Sequence, residues 1–163
     1  MLDWLFDTSF ILPFFGLKVN KRINLEDLKF VTKMNKDSIC ISSCSLIEAK
    51  WNAIKYFNAE NNDLFLDRAN ITLEAFGTGK YFQVVDSWFI PEASYWADTL
   101  LKAGHKDYMD CWISGTAKIL DLKFVSLERD LIQIIEKTEQ WETFKYYSWE
   151  EFLKEFNDNL ITE

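Results

Sequence analysis

With 163 residues, 48% hydrophobic and 27% charged, the chain is long enough to bury one core without disulfide or metal staples, and a single domain spanning 1–163 is expected. Scarce glycine (5) and proline (2) argue against long linkers and low-complexity tails, and a net charge of −8 argues against a broad basic footprint for nucleic acid. That charge is uneven: from Glu136 onward eight acids face three lysines, so the tail supplies −5 and residues 1–135 only −3.

Leu2 to Phe6 is an apolar start suited to a first strand, ended by Asp7-Thr8-Ser9. In "INLEDLKFVTKM", Asn24 is placed to cap a helix with Ile23, Leu28 and Val31 on its apolar side. The β-branched run "SICIS", 38–42, predicts a second strand, and "SLIEAKWNAIKYF", 45–57, predicts a helix from the recurrence of Ile47, Trp51 and Ile54. "NDLFLDRANITLEAF" reads as a further helix stopped by "GTG" at 77–79, with "YFQVVD" as a third strand. Pro91 opens a helix that Gly104 stops, and another runs over about 106–120. "LKFVS" is a fourth strand, "ERDLIQIIE" a helix and "KYYS" a short strand, before a last helix opened by the capping box Ser148-Trp149-Glu150-Glu151.

Strands separated by one or two helices imply right-handed crossovers and a mostly parallel sheet of about five strands, covered by helices on both faces. The fold class is α/β. Sites in such sheets form beyond the carboxyl ends of the strands. Asp7 ends the first strand, Glu48 follows the second, Glu128 follows the fourth, and Asp110 starts the helix before it. Carboxylates gathered at one spot repel one another unless a cation neutralises them or one keeps a proton. Mg²⁺ suits an all-oxygen set of this kind, and Thr8 and Ser9 are placed to orient the Asp7 carboxylate.

Each acid also has a structural reading. Ser45-Leu46-Ile47-Glu48 is a capping-box pattern, while Asp107, Asp110 and Glu128 fall at helix starts, where the macrodipole favours negative charge. Cys40, Cys44 and Cys111 form no CxxC pair, and His105 is the sole histidine. A disulfide framework, a zinc site and multi-histidine nuclease chemistry are therefore not expected, and a reducing cytoplasmic location is. No apolar run nears the roughly 20 residues of a membrane span, and Asp3 stands where a signal peptide carries basic residues. His105 reads as a surface residue near a helix start, and "GTGK" at 77–80 as a turn, since it lacks most of a phosphate loop. Lys50, Lys80, Lys102, Lys106 and Arg129 are candidate phosphate contacts, and Trp51, Trp88, Trp96, Tyr108 and Trp112 are either core or stacking platforms for unpaired bases.

The order of these pieces resembles the PIN domain, the fold of VapC-type toxin nucleases. The resemblance rests on "FDTSFIL", on "SSCSLIEA", and on "DYMDCWISGTAKILDLKFVSLERDL" with its Asp-x-x-Ile-x-x-x-Ala helix and a following Ser/Thr-x-acid strand end, and it runs from residue 2 to about 131. It implies a three-layer α/β/α fold and Mg²⁺- or Mn²⁺-dependent endonucleolytic cleavage of single-stranded RNA. The implied catalytic acids are Asp7, Glu48, Asp110 and Glu128; the implied metal ligands are Asp7, Asp110 and either Glu128 or Asp130. Thr8, Ser9 and Ser126 would support them, and Lys50, Lys106 and Arg129 would meet phosphates. A cognate antitoxin over the acidic site and a homodimer are the implied partners. Departures are Ser126-Leu127-Glu128 where Thr-x-Asp is usual, Ser9 where Asn is common, and Asp3-Trp4 in the first strand. The Glu128 departure keeps a second reading open, a PIN-like domain with impaired catalysis that binds RNA or protein. Aspartyl phosphotransfer is disfavoured, because the phosphatase motif needs an Asp where Ser9 stands.

Overall fold

In the computed structural model, which describes residues 2–19, 23, 25–34 and 37–161, the first strand, β1 (Trp4–Phe6), is buried on both faces. Side chains of a strand alternate between faces, and Leu5 joins one apolar cluster while Trp4 and Phe6 join another. β1 pairs in parallel with β2 (Ile39–Ser42) on one side and β4 (Lys123–Val125) on the other, with Leu5 level with Cys40 and Phe124. β3 (Gln83–Val85) and β5 (Tyr146–Tyr147) complete a wholly parallel sheet of order β3-β2-β1-β4-β5. Both inner strands repeat the alternation: Ile39, Ile41 and Val125 lie on the Phe6 face, Cys40 and Phe124 on the Leu5 face.

Seven α-helices of the described residues cover the two faces. The Phe6 face is packed by α1 (Leu25–Met34), α2 (Ser43–Glu60), α3 (Leu64–Gly77) and α7 (Trp149–Ile161), and the Leu5 face by α4 (Pro91–Lys102), α5 (Tyr108–Ile119) and α6 (Arg129–Lys137). This is the α/β layering, a parallel sheet covered by helices on both faces, that the alternation of strands and helices implies. Asn24, read as the α1 cap, lies outside the described residues. Trp4, unusual for its strand, is accommodated edge-on between Tyr147 and Phe152. The last helix starts as its sequence prescribes, with Ser148 N–H donating to Glu151 Oε2 at 2.8 Å and Glu151 N–H to Ser148 Oγ at 3.2 Å. "GTGK" is a turn, with Gly79 at φ +62.

One close approach orients the helices that bear on the site. α4 and α5 form an antiparallel hairpin whose crossing point is Gly115, where an added Cβ would stand 2.4 Å from the Ala93 carbonyl oxygen. Neither backbone can retreat without disturbing the α4 core residues Ala93, Ala97 and Leu100. Gly115→Ala is expected to lower the melting temperature through overpacking of about 1–3 kcal/mol. An unchanged thermal melt of that variant would contradict the close packing.

Candidate metal centre

β1 ends where the chain order of the sheet switches sides, and Asp7 N–H donates to Val125 O of β4 at 3.0 Å across that seam. The crevice beyond the strand ends at such a switch is where parallel sheets build sites. Asp7 caps a 3-10 turn at Thr8–Phe10, and its carboxylate is only 1% exposed. Oδ1 accepts from Thr8 N–H at 2.6 Å, and Oδ2 from Ser126 Oγ at 2.9 Å and Ser9 Oγ at 3.5 Å. Ser126 Oγ in turn accepts from Glu128 N–H at 3.0 Å, so one hydroxyl ties the end of β4 both to Asp7 and to the start of α6.

Glu48 arrives from the second turn of α2. That helix is capped by Ser42, whose Oγ accepts from Cys44 N–H at 3.0 Å. The capping-box reading of Ser45 and Glu48 is therefore corrected: the helix starts at Ser43, and the buried Ser45 Oγ has no hydrogen-bond partner among the described residues. Glu48 Oε2 instead accepts from Thr8 Oγ1 at 2.6 Å, across 40 residues of sequence. Asp107 caps α5, taking Met109 N–H at 2.9 Å and Asp110 N–H at 3.5 Å on Oδ1. Carboxylate oxygens of Glu48, Asp107 and Asp110 lie within 4.8 Å of one another, a spacing that can hold a metal ion.

Asp107 is the acid that sequence reasoning passed over, because its helix-start position explains it completely. Only the meeting of α2 and α5 gives it a second role. Glu128 is exposed beyond β4 and bears on the others through its charge, while Asp130 is exposed in the first turn of α6. Lys50 Nζ donates to Asn70 Oδ1 at 2.6 Å, and Lys106 and Arg129 are exposed beside Asp107 and Glu128 in the chain. His105 is not a surface residue: it is 9% exposed, and its Nε2 stands 3.1 Å from Asp110 Oδ2. Trp112 and Tyr108 pack on one another, Trp96 packs on Trp141, and Trp51 and Trp88 are exposed.

Burial and mutual repulsion dominate the charges. Loss of water raises Asp7 from 3.8 to about 7, with the Glu48 charge adding to the rise, against the hydrogen bonds from Ser126 and Thr8. Asp110 is pushed up to about 9 by burial and by Asp7, Asp107, Glu48 and Glu128. Glu48 is also raised, by burial first, with the Thr8 bond opposing. Groups in this condition either hold protons or await a cation.

No family model and no curated protein matches the chain in sequence. Solved structures do match in shape. PAE2754 from Pyrobaculum aerophilum superposes with a TM-score of 0.62 at 15% identity, over 96% of this chain and 90% of that one. VapBC from Salmonella typhimurium, in a DNA-bound crystal structure, gives 0.60 at 19% identity, over 91% and 99%. VapBC2 from Rickettsia felis, bound to a DNA fragment from their promoter, gives 0.57 at 15%, over 91% and 99%. Fold and site together define an α/β protein with buried acids at the carboxyl edge of a parallel sheet. Its fold is the PIN-like one, as the order of its motifs implies.

The raised acids fix a pH dependence. Folded Asp7 and Asp110 keep protons that the unfolded chain, titrating near 3.8, gives up, so metal-free stability is fullest in acid and declines as pH rises toward about 9. Metal-free melting temperature is expected to fall between about pH 5 and pH 9, less steeply in Asp110→Asn, and Mn²⁺ should restore it at the alkaline end. A melting temperature that climbs over this window would contradict the assignment.

Proposed function

We propose that the chain is a Mg²⁺- or Mn²⁺-dependent endoribonuclease that cleaves single-stranded RNA and is restrained by an antitoxin protein. The observation that carries this reading is the convergence of Glu48, Asp107 and Asp110 within 4.8 Å beside a buried Asp7, in a PIN-like fold. Asp7, Glu48, Asp107 and Asp110 would hold the cation, with Glu128 at the outer side. When bound, a divalent ion neutralises the acids, lowers the pKa of a coordinated water and stabilises the charge that develops on a cleaved phosphodiester.

The chain's own residues do the rest. Thr8 Oγ1 holds one oxygen of Glu48, and Thr8 N–H and the Ser126 hydroxyl hold the two oxygens of Asp7, so these carboxylates are fixed in orientation beside the cluster of Glu48, Asp107 and Asp110. Lys106 and Arg129, exposed next to the acids, are available to RNA phosphates, and the exposed Trp88 ring, 4.7 Å from Trp112, offers an unpaired base a stacking face. The antitoxin part rests on α2, the helix that carries Glu48. Ile47 and Trp51 are 44% and 59% exposed there, and they line an apolar groove with Leu46, Ile54 and Leu73.

Purified protein with Mn²⁺ is expected to shorten single-stranded RNAs of varied sequence, to stop on addition of EDTA, and to lose about 100-fold or more in rate on Asp7→Asn or Asp110→Asn. Wild-type protein that leaves all such RNAs intact, indistinguishable from Asp7→Asn, would sink the enzyme reading in favour of a binding module.

A further inference from the structure

We propose that His105 is a positioning residue for the metal centre: its imidazole N–H holds one oxygen of Asp110 so that the other faces the cation. The inference rests on the metal-dependent reading above and goes beyond it, since nothing in the acidic motifs calls for a histidine.

The placement is built into the hairpin. α4 closes in a Schellman-type turn: Gly104 N–H reaches Leu101 O at 3.0 Å and His105 N–H reaches Leu100 O at 3.1 Å. Gly104 sits at φ +108, in the left-handed region that favours glycine, so the turn reverses the chain within one residue of His105. Two residues later Asp107 caps α5, and Asp110 follows one turn on. The contact of Gly115 with Ala93 and the hydrogen bond from Tyr108 OH to Asp98 Oδ1 at 3.1 Å keep the two helices from sliding. The ring is thus delivered to Asp110 by backbone geometry on both sides, not by a flexible loop.

At the contact, Nε2 is 3.1 Å from Asp110 Oδ2, with side chains 9% and 13% exposed. An Asp110 ionised around a cation has only acceptors to offer, so Nε2 carries the proton and donates. Oδ2 is then taken, and Oδ1 is the oxygen left for the metal. Ser114 Oγ donates to the Asp110 backbone carbonyl at 2.8 Å, which steadies the same residue from the other side. Hydrogen bonds of this kind behind a ligand are worth about 10–100-fold in metal affinity.

The test is Mn²⁺ binding, read as free Mn²⁺ by electron paramagnetic resonance, on wild type, His105→Phe, His105→Gln and Asp110→Asn. His105→Phe keeps a ring of similar shape without a donor, and His105→Gln keeps a donor without the ring. His105→Phe is expected to weaken Mn²⁺ by about 10–100-fold and His105→Gln to stay close to wild type. Metal-free melting curves check that each variant folds, and His105→Leu stands in if the Phe variant does not. Affinity in His105→Phe equal to wild type, while Asp110→Asn loses it, would overturn this proposal alone. So would a His105→Gln that falls as far as His105→Phe. Absence of Mn²⁺ binding in wild type, or full binding in Asp110→Asn, would overturn the metal-dependent reading and this proposal with it.

Discussion

A carboxylate stripped of water is the constraint on which the rest of the structure turns. Asp7 sits at the end of the central strand, 1% exposed, directly after Phe6 and before Phe10, two rings packed 5.0 Å apart in the core. No lysine or arginine among the described residues is buried, and the charges that bear on Asp7 are those of acids: Glu48 and Glu128 raise it, and it raises Asp110 in turn. A single charge in that position is costly unless it is hydrogen-bonded and neutralised. The hydroxyls of Thr8, Ser9 and Ser126 supply the first requirement in part, and a proton or a divalent cation supplies the second.

Stability and function are set against each other here. Without a cation the raised acids hold protons and lose stability as they leave; on the proposed metal-dependent reading, a bound cation would turn the same repulsion into binding free energy, because the acids are already gathered. The scaffold that gathers them is rigid by construction. Three-residue strands buried on both faces leave Asp7 and Ser126 little room to drift, and the α4–α5 hairpin, pinned at Gly115, carries Asp107 and Asp110 as one body. α2 is tied to β1's end by the bond from Thr8 to Glu48, and at its start by the Ser42 cap, whose hydroxyl meets Ser87 Oγ at 2.6 Å, and by Ser43, whose Oγ donates to Asp86 and accepts from Ser87 N–H. The acids thus come from three separately anchored elements.

Much of this was legible in the chain. Short apolar or β-branched runs and helical spacing placed all five strands and all seven helices of the described residues, because short buried strands and amphipathic helices write their burial directly into residue order. The capping box at Ser148 formed as written, since both its partners are local. The box at Ser45 did not, because an equally good cap at Ser42 lies at the strand end and tertiary contacts with Ser87 favour it. Asp7, Glu48 and Asp110 stood out by position at one sheet edge. Ser126 was expected to support the acids, and its partner proves to be Asp7, across 119 residues; what the sequence concealed were the pairing of Thr8 with Glu48 over distance and the second role of Asp107, which any helix start would account for. His105 was hidden for a different reason. Its flanking Gly104 and Lys106 mark a surface turn, and the turn is real, but it folds the ring inward.

The central claim is that these acids share one cation. Diffraction from Mn²⁺-soaked crystals, collected where manganese scatters anomalously, tests it most directly. The account predicts an anomalous peak within ligand distance of Glu48, Asp107 and Asp110 and next to Asp7, at about 2.0–2.2 Å from the oxygens that bind it. An acid cluster with no peak at saturating Mn²⁺, or a peak held elsewhere on the surface, would contradict it.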